Sequence, residues 1–331
     1  MSLARLFVLF FIMLVSPGTD LSAQADSIPL HGILVDAGGH KLHLDIRGHG
    51  GPVVVLENGS ADFSFVWSLV QPSVAQFTTV VSYDRAGYAW SEPGPSPRTA
   101  RQIVYELHKA LTGAGLKSPY ILVGQSYGGF LVRAFARHYP KEVAGMVLVE
   151  ALNEDAKINI GKGYVRIREM ATGRKEPPVN AFFTPGAGTR PPVSLIDTSI
   201  EFPLTKLADS ILRLQVWAQS QPSFIAATDS EMTWSPEDVA ELYRHRGEKK
   251  YLLGNIPLIV LTRGLGGYEG IDSAALENER LSQQEALSRL STNSKHLIDK
   301  NSGHNIHLED PDLVVAAIRE VFEAVRNHRR L

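Results

Sequence analysis

The stretch that decides the fold is "PYILVGQSYGG", residues 119–129. An apolar run with a β-branched centre stops at Gly124, and a single serine, Ser126, stands among Gly124, Gly128 and Gly129. The amphipathic run from Phe130 to His138 follows at once, so the stretch reads as a buried strand turning sharply into a helix. Such a turn brings backbone segments close together, and the positions two before and two after the serine then need small residues.

Outward from this turn the pattern repeats. "PVVVLENG", "TTVVSYDRAG", "AGMVLVEA", "IPLIVLTRG" and "KHLIDKNSG" are short apolar strands. Helical periodicity covers Thr99 to Ala114, Phe130 to His138, Ala274 to Leu290 and Leu313 to Val325. Continuous apolar strands alternating with amphipathic helices predict an α/β fold, a mostly parallel sheet covered on both faces. Ahead of it, "GILVDAGG" and "HKLHLDIRG" predict a hairpin turning at Gly38-Gly39. Leu42, Leu44 and Ile46 alternate there with His43, Asp45 and Arg47, the pattern of a half-exposed strand. His31, His40, His43 and His49 are accordingly expected on the solvent face and in turns, with no metal-site spacing among them. Between Leu152 and Gly254 the strand pattern lapses into helical stretches and the Pro/Gly-rich "PPVNAFFTPGAGTRPPV". The expected organisation is a core from 26 to 151 and from 255 to 331, interrupted by a helical cap at 152–254.

With 331 residues, 44% of them hydrophobic and 21% charged, the chain can bury a large core. A net charge of −2 gives no electrostatic ground for a nucleic-acid or anionic-membrane partner. Arg5, the apolar run Leu6 to Val15, Pro17-Gly18 and Ala23-x-Ala25 follow the order of a secretory signal peptide. Ten apolar residues are too few for a span, which needs about 20. The expectation is cleavage after Ala25, a periplasmic or secreted protein, and no stable membrane anchor thereafter. The chain has no cysteine, so it forms no disulfide and offers no thiol nucleophile.

Gly124-Gln125-Ser126-Tyr127-Gly128 is a G-x-S-x-G sequence, and its strand-turn-helix setting is the context that gives this motif meaning. The serine oxygen would stand at the carboxyl end of the sheet beside a helix N-terminus, where developing negative charge is favoured. A serine hydroxyl is a poor nucleophile until a base takes its proton, so a histidine is expected beyond the last strand. "NSGHNIHLEDP" supplies His304, with His307 as a rival three residues on.

These residues resemble the α/β-hydrolase fold superfamily over nearly all of the mature chain. "LENGSADFSFVW" is similar to the family's "HG" loop, "SYDRAGYAWSEPG" to its "D-R-x-G-x-G-x-S" segment, "GQSYGG" to its nucleophile elbow, and "NSGHNIHLEDP" to its histidine loop. Asn58 stands where the family usually has histidine, and Gln125 stands before the serine, where histidine is common. The resemblance implies Ser126 as nucleophile and His304 as base, with His307 a structural neighbour. It implies an oxyanion hole from the N–H groups of Ser60 and Tyr127, and no cofactor or metal. For the acid, many members carry it past the strand "IPLIVLTRG", where this chain has no carboxylate before Glu269 and Asp272. Another branch takes it from the end of the preceding strand, here Glu150, and Glu150 is favoured over Asp272 because a carboxylate ending a buried strand needs a partner.

The function expected is a serine hydrolase of the carboxylesterase kind, cleaving an ester-like bond in a small molecule through an acyl-enzyme. A peptidase of the proline iminopeptidase type, or a ligand-binding or sensor member with little turnover, are the alternatives. Gly264-x-Gly266-x-x-x-Gly270 has the look of a dinucleotide fingerprint, but too little chain follows it for a nucleotide-binding half. Trp217, Trp234, Phe182, Phe183 and Phe224 are candidates for an apolar acyl pocket or for the cap's own core.

Overall fold

A computed structural model describes residues 30–161, 163–181, 202–268, 270 and 272–331. The expected leader, residues 1–25, lies outside them. β1 (Ile33–Asp36) and β2 (Lys41–Arg47) form the expected antiparallel hairpin. Gly38 and Gly39 turn it at φ of 108° and 106°, a region that favours glycine. The parallel strands are β3 (Val54–Glu57), β4 (Val80–Tyr83), β5 (Tyr120–Gln125), β6 (Val143–Val149), β9 (Leu258–Arg263) and β10 (Ser294–Asp299). Together they make one sheet in the order β1-β2-β4-β3-β5-β6-β9-β10, antiparallel only at the β1-β2 and β2-β4 pairs.

Helices α1 (Gln71–Val74), α2 (Ala100–Gly113), α3 (Tyr127–His138), α6 (Ser273–Ser288), α7 (Ile306–Glu309) and α8 (Pro311–Arg326) flank the sheet. Successive strand residues point to opposite faces. Leu122, Met146 and Val260 therefore pack with Leu107 of α2 and Phe135 of α3, while Ile121, Val123 and Val147 pack with Ile318 and Val321 of α8. Both faces of the middle strands are dry, which is why the sequence reads there as unbroken apolar runs. Helix α2 starts where the Thr99 side chain accepts from the Gln102 N–H. Helix α3 begins at Tyr127, three residues ahead of the expected start, because Gly128 and Gly129 weaken the helical signal but are required by packing.

Two of the four hairpin histidines are corrected. His31 and His49 are exposed, but His40 and His43 are only 3% and 1% exposed. The loop after β4 covers this end of β2: His43 Nδ1 lies 2.7 Å from Asp84 Oδ2, and its ring meets Trp90 at 4.8 Å.

Between β6 and β9 the described residues hold helices α4 (Asp209–Gln219) and α5 (Pro222–His245). They also hold an antiparallel pair, β7 (Lys157–Asn159) with β8 (Tyr164–Arg166), that periodicity did not show. Helix α5 docks on the core by polar contacts: Asp238 accepts from the Ala100 N–H at 2.9 Å, and Arg137 donates to Glu241 at 2.6 Å. Among the described residues no helix is long and apolar enough to cross a membrane.

Candidate active site

Ser126 sits between β5 and α3 with φ 52° and ψ −119°, a backbone strain that a non-glycine residue keeps only where its surroundings enforce it. The enforcement is visible. Its N–H donates to Val149 O at 3.1 Å and its carbonyl accepts from Leu152 N–H at 2.8 Å. A Cβ on Gly124 would stand 2.4 Å from Gly128 O, one on Gly128 would stand 2.4 Å from Glu57 O, and one on Gly129 would meet the Ala151 methyl at 2.3 Å. The glycines are therefore the surfaces by which the first turn of helix α3 packs on β5, on the end of β3 and on the residues just after β6.

Ser126 opens onto a cavity of about 420 Å³ whose walls also include Glu150, Arg263, Arg280 and His304. The structure thus brings three sequence-predicted residues, Ser126, Glu150 and His304, to one space. His304 lies on the loop after β10, which is pinned by Glu309 accepting from the Gly303 N–H at 2.8 Å. Gln125 reaches the same loop, its Nε2 donating to His304 O at 3.3 Å and Asn305 Oδ1 at 3.4 Å. The residue just before the serine thus holds the histidine loop. His304 lines the cavity and is an exposed residue, yet desolvation by the surrounding protein, followed by the charges of Arg263 and Arg280, lowers its pKa to about 4. His307 is buried against Trp67 at 4.8 Å, and burial together with His304 pushes it down to about 3.

Glu150 follows directly on β6 with φ 42°. Its Oε1 accepts from Arg280 Nη1 at 2.7 Å and its Oε2 from the Arg263 N–H at 2.8 Å. Burial lifts its pKa above the ordinary carboxylate value against the pull of Arg280 and Arg263. Among the described residues, no hydrogen bond joins Glu150 to His304. Sequence reasoning missed Arg263 and Arg280; Arg280 comes from α6, 130 residues along the chain, and no local pattern signals it.

The alternative acid Asp272 is exposed at the start of α6 and does not line the cavity. Glu269 lies outside the described residues, as do Phe182 and Phe183. Trp217 packs on Trp90 at 5.1 Å, Phe224 on Phe63 at 5.1 Å, and Trp234 lies under Arg174 at 4.4 Å. None of these three lines the cavity.

The β3-β5 register sets Glu57 beside Gly124, and the loop that follows passes the turn: Asn58 O faces Gly128, and Gly59 faces the Gln125 side chain. Asn58 Nδ2 donates to Tyr83 O at 2.8 Å, and Ser60 is exposed. Tyr127, the first residue of α3, carries one of the N–H groups that a helix start leaves without an intrahelical partner. Asp62, on the same loop, has its carboxyl pushed up to about 6 by desolvation against the charge of Arg85.

Residues 52–311 match the model of the alpha/beta hydrolase fold. The chain belongs to the alpha/beta hydrolase fold family. Within it, this hydrolase chain is 26% identical over 277 residues to the Bacillus subtilis protein YqjL, covering 83% of this chain and 85% of that one. Another curated relative, 33% identical over 129 residues, is matched over only 18% of its own length. Among solved structures, a thermophilic esterase from Thermogutta terrifontis is similar at TM-score 0.59 and 19% identity, with 88% of this chain and 98% of that one covered. The epoxide hydrolase CorEH is similar at TM-score 0.60 and 19% identity, with the same coverage. At these identities the two structures speak for the fold alone.

Proposed function

We propose that this family member is an exported serine hydrolase that cleaves an ester-like bond through an acyl-enzyme, with residues 152–254 acting as a cap. The observation that carries the reading is Ser126, held in a strained turn and opening onto the cavity that His304 and Glu150 also line. In this mechanism the Ser126 oxygen bonds to the substrate carbonyl carbon as its proton passes to His304. The N–H groups of Ser60 and Tyr127 hold the resulting oxyanion. Collapse breaks the bond to the leaving group, which takes the proton from His304, and a water activated by His304 then releases the acid and restores the serine. Glu150, which accepts from Arg280 and the Arg263 N–H, is assigned the acid's role and would have to turn to His304 to orient it and stabilise its protonated form.

One observation favours a second reading, a ligand-binding member with little turnover: each Glu150 oxygen already accepts from Arg280 or from the Arg263 N–H. A panel of p-nitrophenyl esters and aminoacyl amides, run with wild type and Ser126→Ala, separates the readings. Ester turnover lost by several orders of magnitude in a folded Ser126→Ala supports the hydrolase. Equal turnover in the two proteins defeats it, and faster amide than ester cleavage makes the protein a peptidase.

A further inference from the structure

We propose that Glu231 of helix α5 is a positioning residue for the oxyanion loop, acting through Arg85 on the carbonyl groups of Asn58 and Gly59. This inference rests on the hydrolase reading above and concerns residues that lie outside the Ser126 cavity.

Arg85 follows β4, and its side chain is completely buried. Its Nη1 donates to Asn58 O at 3.0 Å and its Nη2 to Gly59 O at 2.8 Å. A trans peptide is planar, with its C=O and N–H pointing opposite ways. Holding Gly59 O therefore fixes the direction of the N–H on the other side of the same peptide, which belongs to Ser60. Arg85 thus aims the donor on which the proposed oxyanion hole depends, without touching substrate.

The guanidinium must itself be held. Glu57, on β3, accepts from Nη1 at 3.1 Å and also from the Tyr83 hydroxyl. Burial pushes the Glu57 carboxyl up to about 7, with Arg85 and Tyr83 pulling it down and Glu231 pushing it further up. Glu57 meets the guanidinium at Nη1 alone and leaves the Nε edge to another partner. Glu231 takes that edge. Its Oε1 accepts from Arg85 Nε at 3.1 Å and its Oε2 from the Tyr88 hydroxyl at 2.9 Å, while Thr228 donates to that hydroxyl at 3.1 Å. The Tyr88 ring lies 4.7 Å from the guanidinium carbon. The planar fork is therefore fixed on every side, and the carboxylate that fixes its far edge comes from the segment between β6 and β9. A helix of that segment is in this way coupled to the loop beside Ser126.

The test uses the full-length exported protein with Glu231→Gln, Glu231→Ala and Arg85→Lys, the last keeping the charge but losing the planar fork. Active sites are titrated with a fluorophosphonate so that kcat refers to folded enzyme. Losing one oxyanion donor outright costs about 10²–10³ in kcat. A misdirected donor should cost on the order of 10-fold in Glu231→Gln and 100-fold in Glu231→Ala and Arg85→Lys. KM should stay within about 3-fold, and affinity for a boronic acid that forms the tetrahedral adduct should fall in step with kcat. A merely structural role would lower the melting temperature and the titrated fraction but leave kcat per titrated site unchanged, and that result overturns the proposal. If Glu231→Ala does not fold, Glu231→Gln decides by the same criterion. An inactive, unlabelled wild type overturns the hydrolase reading and this inference together; an active wild type with unaltered variants overturns this inference alone.

Discussion

Arg280 Nη1 donates to Glu150 Oε1 at 2.7 Å, across a wall of the cavity that holds Ser126 and His304. The carboxylate just after β6 is thereby fixed in the wall of the cavity that His304 also lines, by a helix from late in the chain. If Glu150 serves His304, Glu150→Gln keeps the shape and loses the charge, a change that costs about 10⁴ in turnover in the serine-protease triad. Asp272→Asn, at an exposed position away from the cavity, should leave turnover within about 2-fold. Turnover of one activated ester, with thermal melts to confirm folding, checks both. Near-normal Glu150→Gln with a collapsed Asp272→Asn would move the acid to the loop after β9.

Desolvation, with the two arginines behind it, also sets the working pH. With His304 lowered to about 4 by desolvation, Arg263 and Arg280, the neutral base is present throughout the neutral range. The acid limb of kcat/KM should therefore rise through about pH 4, well below the ordinary histidine value. Arg280→Gln removes a cation that opposes imidazolium, so its limb should move to higher pH. A limb near 6.5 in wild type, or one that stays put in Arg280→Gln, contradicts this account of the cavity.

The sheet, the strained turn and the cavity's serine and histidine were legible because each is written locally. An apolar run such as Tyr120 to Val123 needs no partner to be recognised, and Gly124 and Gly128 mark a close approach wherever it occurs. What escaped depends on contacts between distant segments. His43 alternates with apolar residues like a solvent-facing side chain, yet Asp84, 41 residues on, buries and binds it. Arg280 and Glu231 lie on helices rich in charged residues that look like ordinary surface; only the fold shows that these two turn inward. The β7-β8 pair is too short and too polar for periodicity to register.

Two buried histidines should give the stability curve opposite slopes. For His43, desolvation lowers the pKa, but the Asp84 hydrogen bond and charge and the His31 carbonyl outweigh it, leaving the group raised. Its contribution is full below the unfolded value of about 6.5 and is lost as pH rises through the folded value. For His307, lowered to about 3, the unfolded chain binds the extra proton, so stability falls as pH drops from about 6.5 towards 3. Urea denaturation across pH 4 to 9 should show the alkaline decline flattened in His43→Gln and the acid decline flattened in His307→Phe. Unchanged slopes would contradict the assigned protonation states.

At Gly128 a methyl group has nowhere to go, since Glu57 O and Asn58 O would lie at 2.4 and 2.6 Å from it. Gly128→Ala should cost about 1–3 kcal/mol by overpacking, seen as a melting temperature lower by about 2–10 °C. Because the clash pushes the Glu57–Asn58 backbone away from Ser126, activity per folded molecule should fall as well. A variant with wild-type melting and turnover would show that the approach is looser than described.

The measurement that tests the central claim most directly is covalent labelling of the purified protein with a fluorophosphonate, read as intact mass and as the modified peptide. The account predicts one adduct per molecule, carried by Ser126, formed far more slowly in His304→Ala and absent in Ser126→Ala. No adduct on the folded wild-type protein, or an adduct on another residue, would contradict it.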